Sequence, residues 1–221
     1  KKELILVQKG TEIQNLKIQF NPHFLFNILE TIRYAILVDT KKALEMIMEL
    51  SRLLRYSVNR SDKPAVLVDD FEYIESYLNL QKNRFGDRLS YEIYIDKEAE
   101  YARIPQLLIQ PIVENSIKYG LRNNMFIMIN VVCKVIGDEV VIDVEDNGGG
   151  MKEEEFVRLK NRLNRSYNMV GSIGLYNTHR MIQLMYGEKY GLNLRNDEGK
   201  AFFVRVRLPL IETDESEDIN D

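Results

Sequence analysis

The 221-residue chain is 45% hydrophobic and 29% charged and has only five prolines, which is the composition of a globular protein rather than of a disordered or fibrous one. No stretch approaches the ~20 apolar residues of a membrane-spanning helix. A single cysteine, Cys133, excludes an internal disulfide framework and a multi-cysteine metal site, and the presence of only two histidines excludes a histidine-rich metal centre. The net charge of −4 arises in the segment 212–221, which holds six acids and no base, so the remaining chain is nearly neutral and we expect no nucleic-acid partner.

The N-terminal part of the chain has a helical pattern. Apolar residues recur at helical spacing along the first 35 residues, which predicts a long helix that ends near Val38. Asp39 and Thr40 predict a turn and an N-cap, and a second amphipathic helix follows over about 41–60. Two antiparallel helices bury too little apolar surface alone, so we expect this hairpin to form a homodimer, a four-helix bundle.

Beyond residue 63 the chain alternates helical and strand patterns. Amphipathic segments predict helices near 69–85, 105–120, 152–163 and 174–186. Segments of period two predict strands near 88–95, 126–136 and 139–145, with a last hairpin that ends at Pro209. Gly137-Asp138 is a strong turn signal between two of these strands. The pattern indicates an α+β fold, in which a two-layer α/β sandwich has its helices on one face of an antiparallel or mixed sheet.

These patterns divide the chain into three parts. We predict a helical dimerisation domain over 1–63, a sandwich domain over 64–211 and an acidic, disordered tail over 212–221. The apolar start of the chain is too short for a signal peptide, and the first predicted helix has no evident N-cap. We therefore expect a fragment of a longer helical connector.

The first group of residues with chemical potential lies within the predicted long helix. Pro22 costs a helix interior ~3 kcal/mol unless a kink is required there, and His23 follows it directly. His23 lies about a quarter turn from the centre of the apolar stripe, so one ring nitrogen can face water and act as a nucleophile for phosphoryl transfer. The alternative is a solvated histidine beside an accidental proline, which Asn27 one turn later makes less attractive.

The second group lies on the helix predicted over 105–120. Asn115 falls in the middle of an apolar stripe that also includes Tyr119, so we expect its amide to be buried and bonded. An amide oxygen is a suitable ligand for Mg²⁺, and Lys118 can reach the same phosphates. A core asparagine satisfied by backbone is an equally good interpretation of Asn115 taken alone.

The third group joins two glycine-rich segments, 146–150 and 171–175. The period of the preceding strand places Asp146 on its apolar face, where a carboxylate needs a fixed donor such as the exocyclic amine of adenine. The glycines allow the backbone to approach a nucleotide, and Gly174 opens a helix whose N-terminal N–H groups suit phosphate. One glycine-rich loop alone is more often a simple turn, whereas the combination with Asp146 and Asn115 is much more specific.

In this order the three groups resemble the phosphoacceptor box, N box and paired G boxes of two-component sensor histidine kinases. The form Pro-His-Phe-Leu-Phe-Asn over 22–27, with the segment 77–88 downstream, is similar to the LytS/YesM type. The resemblance extends from about Gln14 to Pro209. It implies a dimerising helical hairpin joined to a Bergerat-type GHKL ATP-binding sandwich, in the cytoplasmic portion of a membrane-bound sensor whose membrane and sensor regions are absent from this chain.

The resemblance also implies roles for individual residues. His23 would be the phosphoacceptor for the γ-phosphoryl group of ATP, and an aspartate of a response-regulator receiver domain would accept that group next. Asn115 would hold Mg²⁺, with Glu114 as a possible second ligand. The residues that it implies for ATP binding are Asn115, Lys118, Tyr119, Asp146, Gly148, Gly150, Gly171, Ser172, Gly174, Leu175 and Asn177.

The sequence departs from the family pattern in three respects. Phe24 stands where many other histidine kinases have an acid after the histidine, so the general base is open. Ala201-Phe202 replace a common Gly-Thr near adenine, and Met181 replaces a frequent arginine. Among the remaining residues, we expect His179 to be a surface residue or a neighbour of the lid over the nucleotide, and Cys133 to be buried.

We therefore expect an enzyme, an ATP-dependent protein-histidine kinase that autophosphorylates His23. The first alternative is a nucleotide-binding signalling scaffold with little or no kinase activity, which Ala201-Phe202 and Met181 would favour. A second alternative is an ATPase of the same nucleotide fold. It is disfavoured because such ATPases lack the Pro-His box.

Overall fold

A computed structural model describes residues 22–58, 64–163 and 173–211, apart from the side chains of Asn123 and Ile173. The predicted helix before Pro22 and the acidic tail therefore lie outside the described residues, as does any kink that depends on the chain before Pro22. The helices are α1 Pro22–Val38, α2 Thr40–Val58, α3 Leu67–Phe85, α4 Gln110–Asn123, α5 Glu153–Leu163 and α6 Ile173–Tyr186. The strands are β1 Ala65–Val66, β2 Leu89–Ile95, β3 Arg103–Ile104, β4 Ile127–Ile136, β5 Glu139–Asp146, β6 Gly191–Asp197 and β7 Ala201–Pro209.

The first two helices form an antiparallel hairpin against α3. The Asp39 carboxylate accepts a hydrogen bond from the Lys42 N–H at 3.1 Å, so Asp39 is the predicted N-cap. Phe24, near the start of α1, lies with its ring centroid 4.8 Å from that of Tyr77, and Tyr56, near the end of α2, lies 5.5 Å from Tyr73. Tyr73 and Tyr77 are one turn apart on α3, so the two ends of the hairpin meet there.

A five-stranded mixed sheet, in the order β2-β4-β5-β7-β6, underlies the remaining helices. β2 pairs with β4 in parallel, and the other neighbours are antiparallel. A separate pair joins β1 and β3. The predicted turn after Ile136 is present, with Gly137 at a φ of +60°. Alternate residues of the central strands are buried against the helices, and Cys133 is among them, as predicted. The α+β sandwich with helices on one face is confirmed.

The prediction for α4 was wrong at both ends. Pro105 precedes the helix by several residues, whereas Pro111 lies in its first turn, where the missing N–H of proline costs nothing. Gly120 does not end the helix but lies inside it. A Cβ at this position would clash with the end of the Ile127 side chain, so α4 packs closely on β4 through the bare backbone of Gly120.

The prediction that His179 lies at the surface was also wrong. Its side chain is buried, and Nδ1 accepts a hydrogen bond from the Leu192 N–H at 2.9 Å. This bond fixes the middle of α6 to the start of β6. Burial and the neighbouring Arg180 lower the pKa of the imidazole, which favours the neutral form that can accept this bond.

No helix within residues 22–58, 64–163 and 173–211 is long and apolar enough to cross a membrane.

Candidate functional site

Asp146, the last residue of β5, is the buried centre of the candidate site. Its Oδ2 accepts a hydrogen bond from the Ser116 hydroxyl at 2.7 Å, and its Oδ1 accepts one from the Gly148 N–H at 3.0 Å. Burial raises the pKa of this carboxyl, and the two donors oppose that rise. An ionised carboxylate has about four acceptor positions, so two donors leave capacity for a further N–H group.

Two glycines of the loop after Asp146 pack closely against other parts of the protein. A Cβ on Gly148 would lie 2.6 Å from the Gly120 Cα and 2.7 Å from the Asp146 Oδ1. Gly150 has a φ of +61°, and a Cβ there would lie 2.7 Å from the Asn196 Oδ1. The Asn196 amide holds both backbone groups of Met151, at 2.8 Å each. The glycine-rich loop is therefore held by β6 and packed so closely against Gly120 and Asn196 that Gly148 and Gly150 leave no room for a side chain.

The second glycine-rich segment meets α4 at Asn115. A Cβ on Gly174 would lie 3.4 Å from the Pro111 Cβ and 3.5 Å from the Asn115 Nδ2. The start of α6 therefore packs on α4 at this point, as the pairing of the two sequence motifs predicted. Gly171 and Ser172 lie outside the described residues.

The predicted burial of Asn115 was wrong. Asn115 is only partly buried, and Tyr119 is 50% exposed, whereas Ser116 is 6% exposed. The buried face of α4 is centred one residue later than the apolar pattern suggested, because the helix packs through Ser116 and Gly120 on the sheet. Asn115 is thereby left at the edge of the helix interface, where its amide can meet a ligand.

Two charged residues flank Asn115 on α4. The Gln110 side-chain amide donates to the Glu114 carboxylate at 2.7 Å. Burial raises the pKa of Glu114, while Gln110 and Lys118 oppose this rise. Lys118 is exposed, with its Nζ 5.1 Å from the centre of the Tyr119 ring. This edge of α4 thus carries one cation and one partly buried carboxylate beside the Asn115 amide.

Two of the predicted residues on α6 are buried. Leu175 packs in the core. The Asn177 side chain is 6% exposed, and its Oδ1 is a buried atom with no hydrogen-bond partner among the described residues. Asn177 lies three residues beyond Gly174 and therefore on the same side of the helix, towards α4. An unsatisfied buried oxygen costs free energy, which a bound ligand or water would recover.

His23 lies on α1, away from the helices that carry the other predicted residues. Its side chain is exposed, and the Asn27 amide nitrogen lies 3.1 Å from its Nδ1 and 3.3 Å from its Nε2. The amide can donate to whichever ring nitrogen holds the lone pair. Phe24 is buried against Tyr77, so the residue after the histidine is a packing group rather than a base.

The sequence analysis missed three residues of the site. Ser116 orders Asp146, Gly120 is the backbone against which Gly148 packs, and Asn196 holds the loop. Ser116 directly follows Asn115, so a shift of the buried face by one residue would have identified it. Asn196 has no local signal, because its role depends on the pairing of β6 with β7.

The departures at the end of the sheet are also explained by packing. Phe202 is paired with Asp146 across β5 and β7, and its ring meets that of Phe156 edge-on at 6.3 Å between centroids. Residues paired across strands share one face of a sheet, so Phe202 and Phe156 form a wall beside Asp146. Met181 is buried, with Arg180 next to it partly exposed.

Two family models match the chain. The model described as "Histidine kinase" matches residues 11–89, and the model described as "Histidine kinase-, DNA gyrase B-, and HSP90-like ATPase" matches residues 101–212. The Sensor protein kinase HptS of Staphylococcus aureus strain USA300 is 29% identical over 202 residues, which cover 91% of this chain and 39% of that protein. The protein of the same name from strain NCTC 8325 gives the same values. The chain therefore spans about two fifths of the length of these curated relatives.

Solved structures of histidine kinases give similar but distant matches. The histidine kinase domain of the Erythrobacter litoralis EL346 blue-light activated histidine kinase matches with a TM-score of 0.49 and 16% identity, covering 92% of this chain and 94% of that one. Acinetobacter baumannii histidine kinase AdeS matches with a TM-score of 0.47 and 13% identity, covering 94% of both chains. On the strength of the two family models, the chain belongs to the two-component sensor histidine kinases, with an ATPase region of the histidine kinase-, DNA gyrase B- and HSP90-like type.

Proposed function

We propose that this chain autophosphorylates His23 from Mg-ATP and passes the phosphoryl group to an aspartate of a response regulator. The observation that carries the proposal is the conjunction of a glycine-lined carboxylate, Asp146, with an exposed histidine whose ring is oriented by Asn27.

We assign nucleotide recognition to the two glycine-rich segments and α4. The free acceptor capacity of Asp146 suits the exocyclic amine of adenine, and we assign Gly148 and Gly150 to the loop that shapes the pocket around it. Towards α6, the partly exposed Asn115 and the exposed Lys118 provide a polar and a cationic group for phosphates. The unsatisfied Asn177 oxygen is an acceptor, so we assign it to a bound water beside the nucleotide rather than to a phosphate oxygen. Gly171, Ser172, Gly174 and Leu175 would border the phosphates, and Tyr119 would lie at the rim.

We assign the Mg²⁺ ligand to the Asn115 amide oxygen, with the Glu114 carboxylate as a possible second ligand. No group of three or more His, Cys, Asp or Glu side chains that could hold a metal occurs in the part of the chain that the structure describes. Mg²⁺ usually takes one or two protein ligands together with waters and substrate phosphates, so this sparse donor set is suited to it. When bound, the ion would neutralise charge on the β- and γ-phosphates.

The transfer step needs little from the protein beyond position. A neutral His23 nitrogen attacks the γ-phosphorus, an N–P bond forms, and the bond from that phosphorus to the β,γ-bridging oxygen breaks as ADP leaves. The other ring nitrogen carries the proton, which is lost to solvent after transfer. Asn27 holds the ring through its amide, and the His23 side chain is exposed.

We further propose that the hairpin forms the homodimer. Apolar side chains on its outer surface are exposed to an extent that a monomer rarely tolerates. They are Phe26, Leu29, Ile36, Leu37 and Val38 on α1, and Leu44, Ile47 and Met48 on α2. A second copy of the hairpin would cover these side chains in a four-helix bundle. We also propose that the kinase acts on the cytoplasmic side of a membrane, as part of a longer membrane-bound sensor.

The test is transfer of label from γ-labelled ATP in the presence of Mg²⁺. We expect the parent protein to acquire label that is stable to base and labile to acid, and His23→Gln to acquire none while its ATP affinity stays within twofold. His179→Gln is the control, because Gln can still accept the hydrogen bond from Leu192 and the label should remain. A receiver domain added as a chase should remove the label. Acid-stable label, or equal label in the parent and His23→Gln, contradicts the proposal.

A further inference from the structure

A second buried aspartate, Asp70 on α3, lies outside the nucleotide site. Its side chain is completely buried, and it collects donors from two other parts of the chain. Oδ1 accepts the Leu107 N–H at 2.6 Å and the Tyr56 hydroxyl at 3.1 Å, and Oδ2 lies 3.5 Å from the Ile109 nitrogen. Asp70 thus joins the end of the hairpin to the turn that precedes α4.

That turn has an unusual backbone. Leu107 has a φ of +61° and is the single non-glycine residue with a positive φ among the described residues. The left-handed conformation costs a residue with a Cβ roughly 1–2 kcal/mol, so surrounding contacts must hold it. The short hydrogen bond from the Leu107 N–H to Asp70 is such a contact.

The turn sets where α4 begins. Ile109 occupies the N-cap position but provides no side-chain cap, and Gln110 starts the helix. Asp70 brings a carboxylate from another helix to this end of α4, where negative charge complements the helix dipole. Because α4 carries Asn115 and Ser116, the position of this turn controls the placement of the residues that would bind the nucleotide.

Tyr56 attaches the hairpin to the same turn at two points. Its hydroxyl donates to Asp70, and its backbone carbonyl accepts the Gln106 side-chain amide at 2.8 Å. Its ring packs on Tyr73, one turn before the Tyr77 that holds Phe24. The hairpin end that carries His23 and the start of α4 therefore both contact the same two turns of α3.

We propose that Asp70 is a positioning residue for phosphoryl transfer, which fixes the start of α4 to the hairpin through the Tyr56 hydroxyl. The inference rests on the proposed function and names a residue that acts on it from outside the nucleotide site. Loss of the Tyr56 hydroxyl leaves α4 bonded to Asp70 and therefore able to bind ATP, but it loosens the arrangement of the hairpin relative to the nucleotide.

The test compares the rate of His23 labelling with ATP affinity. A hydrogen bond to a charged group is worth enough for about a tenfold effect, so we expect Tyr56→Phe to lower the labelling rate at saturating ATP by about tenfold. The Kd for ATP should change by less than twofold, which also shows that the protein is folded. Tyr101→Phe, whose side chain is exposed on the sandwich domain, is the control and should leave both quantities unchanged.

A double variant tests the coupling. Asp70→Asn keeps an acceptor oxygen for Leu107 but loses the charge, so its labelling rate should also fall. Adding Tyr56→Phe to Asp70→Asn should then cause at most a twofold further loss, because the two groups act through one contact. A Tyr56→Phe rate equal to that of the parent, or a loss of rate matched by an equal loss of ATP affinity, overturns the inference alone. Absence of His23 label from the parent contradicts the proposed function and this inference with it.

Discussion

Two aspartates of this chain, Asp70 and Asp146, are both buried and both lose hydration of the carboxylate, but their hydrogen-bond partners differ. Burial raises the pKa of both carboxyls, in the case of Asp70 to about 6. Asp70 is enclosed by donors from α2 and from the turn before α4, and no glycine lies among its partners. Asp146 has one hydroxyl and one backbone donor, and glycine backbone on one side. The first carboxylate is completed within the protein, and the second is left incomplete where a ligand can complete it.

The difference teaches how a binding residue can be separated from a structural one when both are buried acids. Burial and a raised pKa do not separate them, because desolvation acts on either. The number of unfilled acceptor positions and the presence of side-chain-free backbone do. By this criterion we assign Asp146 to the proposed nucleotide site and Asp70 to the contact between the hairpin and α4.

The largest expected effect tests whether the unfilled acceptor positions of Asp146 bind the nucleotide. In Asp146→Asn the amide can still meet Ser116 and Gly148, but it presents its own N–H groups where we expect the adenine amine. Loss of a charge-assisted hydrogen bond together with this repulsion should weaken ATP binding at least 100-fold, on the scale of about 3 kcal/mol. Calorimetric titration with ATP measures the change.

Asp143→Asn is the matched control for this prediction. Asp143 lies on the same strand, but it is paired with Arg205 at 2.7 Å through both carboxylate oxygens and is well exposed. Its ATP affinity should remain that of the parent. Equal affinity in the parent and Asp146→Asn would assign Asp146 to the same structural class as Asp70.

A smaller expected effect concerns the free energy that the protein loses by burying the Asp70 carboxylate. The pKa of Asp70 rises from an ordinary 3.8 to about 6 on folding, so between these values the folded state holds a proton that the unfolded state has lost. The free energy of unfolding contributed by this group therefore increases as the pH falls through about 6. From pH 7 to pH 5, the parent should gain about 1 kcal/mol relative to Asp70→Asn.

The groups that face Asp70 do not titrate in this interval. Tyr56 from α2 is held neutral, because burial and the carboxylate raise its pKa above the ordinary value, and the turn before α4 presents backbone N–H groups and the neutral Gln106. Urea unfolding of both proteins at pH 7, 6 and 5 measures the difference, with Asp138→Asn as an exposed control. If the difference in free energy of unfolding between the parent and Asp70→Asn is the same at the three pH values, the raised pKa of Asp70 is contradicted.

The sequence predicted one of these aspartates and not the other, for a physical reason. Asp146 ends a strand of period two and is followed by glycines, so both its orientation and its open surroundings are encoded within a few residues. Asp70 lies in an ordinary amphipathic helix, and its partners are 14 and 37 residues away. Nothing local distinguishes it from the neighbouring Asp69, which is exposed.

The errors in α4 have a similar origin. Helical periodicity correctly predicted a helix and its amphipathic character, but the direction of its buried face depends on the strand against which it packs. Gly120 resembled a C-terminal signal because glycine commonly ends helices. Its real role is to let α4 pack on Ile127 of β4 and on Gly148 in the loop after β5, and both residues come later in the chain. Long-range packing therefore decided what local propensity left open.

The smallest expected effect tests whether the ring of Phe202 is part of the proposed nucleotide pocket around Asp146. Phe202 and Phe203 are neighbours on β7 that point to opposite faces of the sheet. Phe202 faces Phe156 beside Asp146, whereas the Phe203 ring lies 3.8 Å from the Arg195 guanidinium on the other face.

If the Phe202 ring forms a wall of the nucleotide pocket, Phe202→Leu should weaken ATP binding about threefold, because an aromatic pair is worth about 0.5–1.5 kcal/mol. Phe203→Leu loses a comparable ring and a cation contact, yet it should leave ATP affinity unchanged, since its face of the sheet does not carry Asp146. Calorimetry on both variants makes the comparison, and thermal unfolding separates a change of pocket from a change of stability. Equal effects of the two substitutions on ATP affinity would mean that Phe202 contributes to the sheet as a whole, and the open region would then be limited to Asp146 and its glycines.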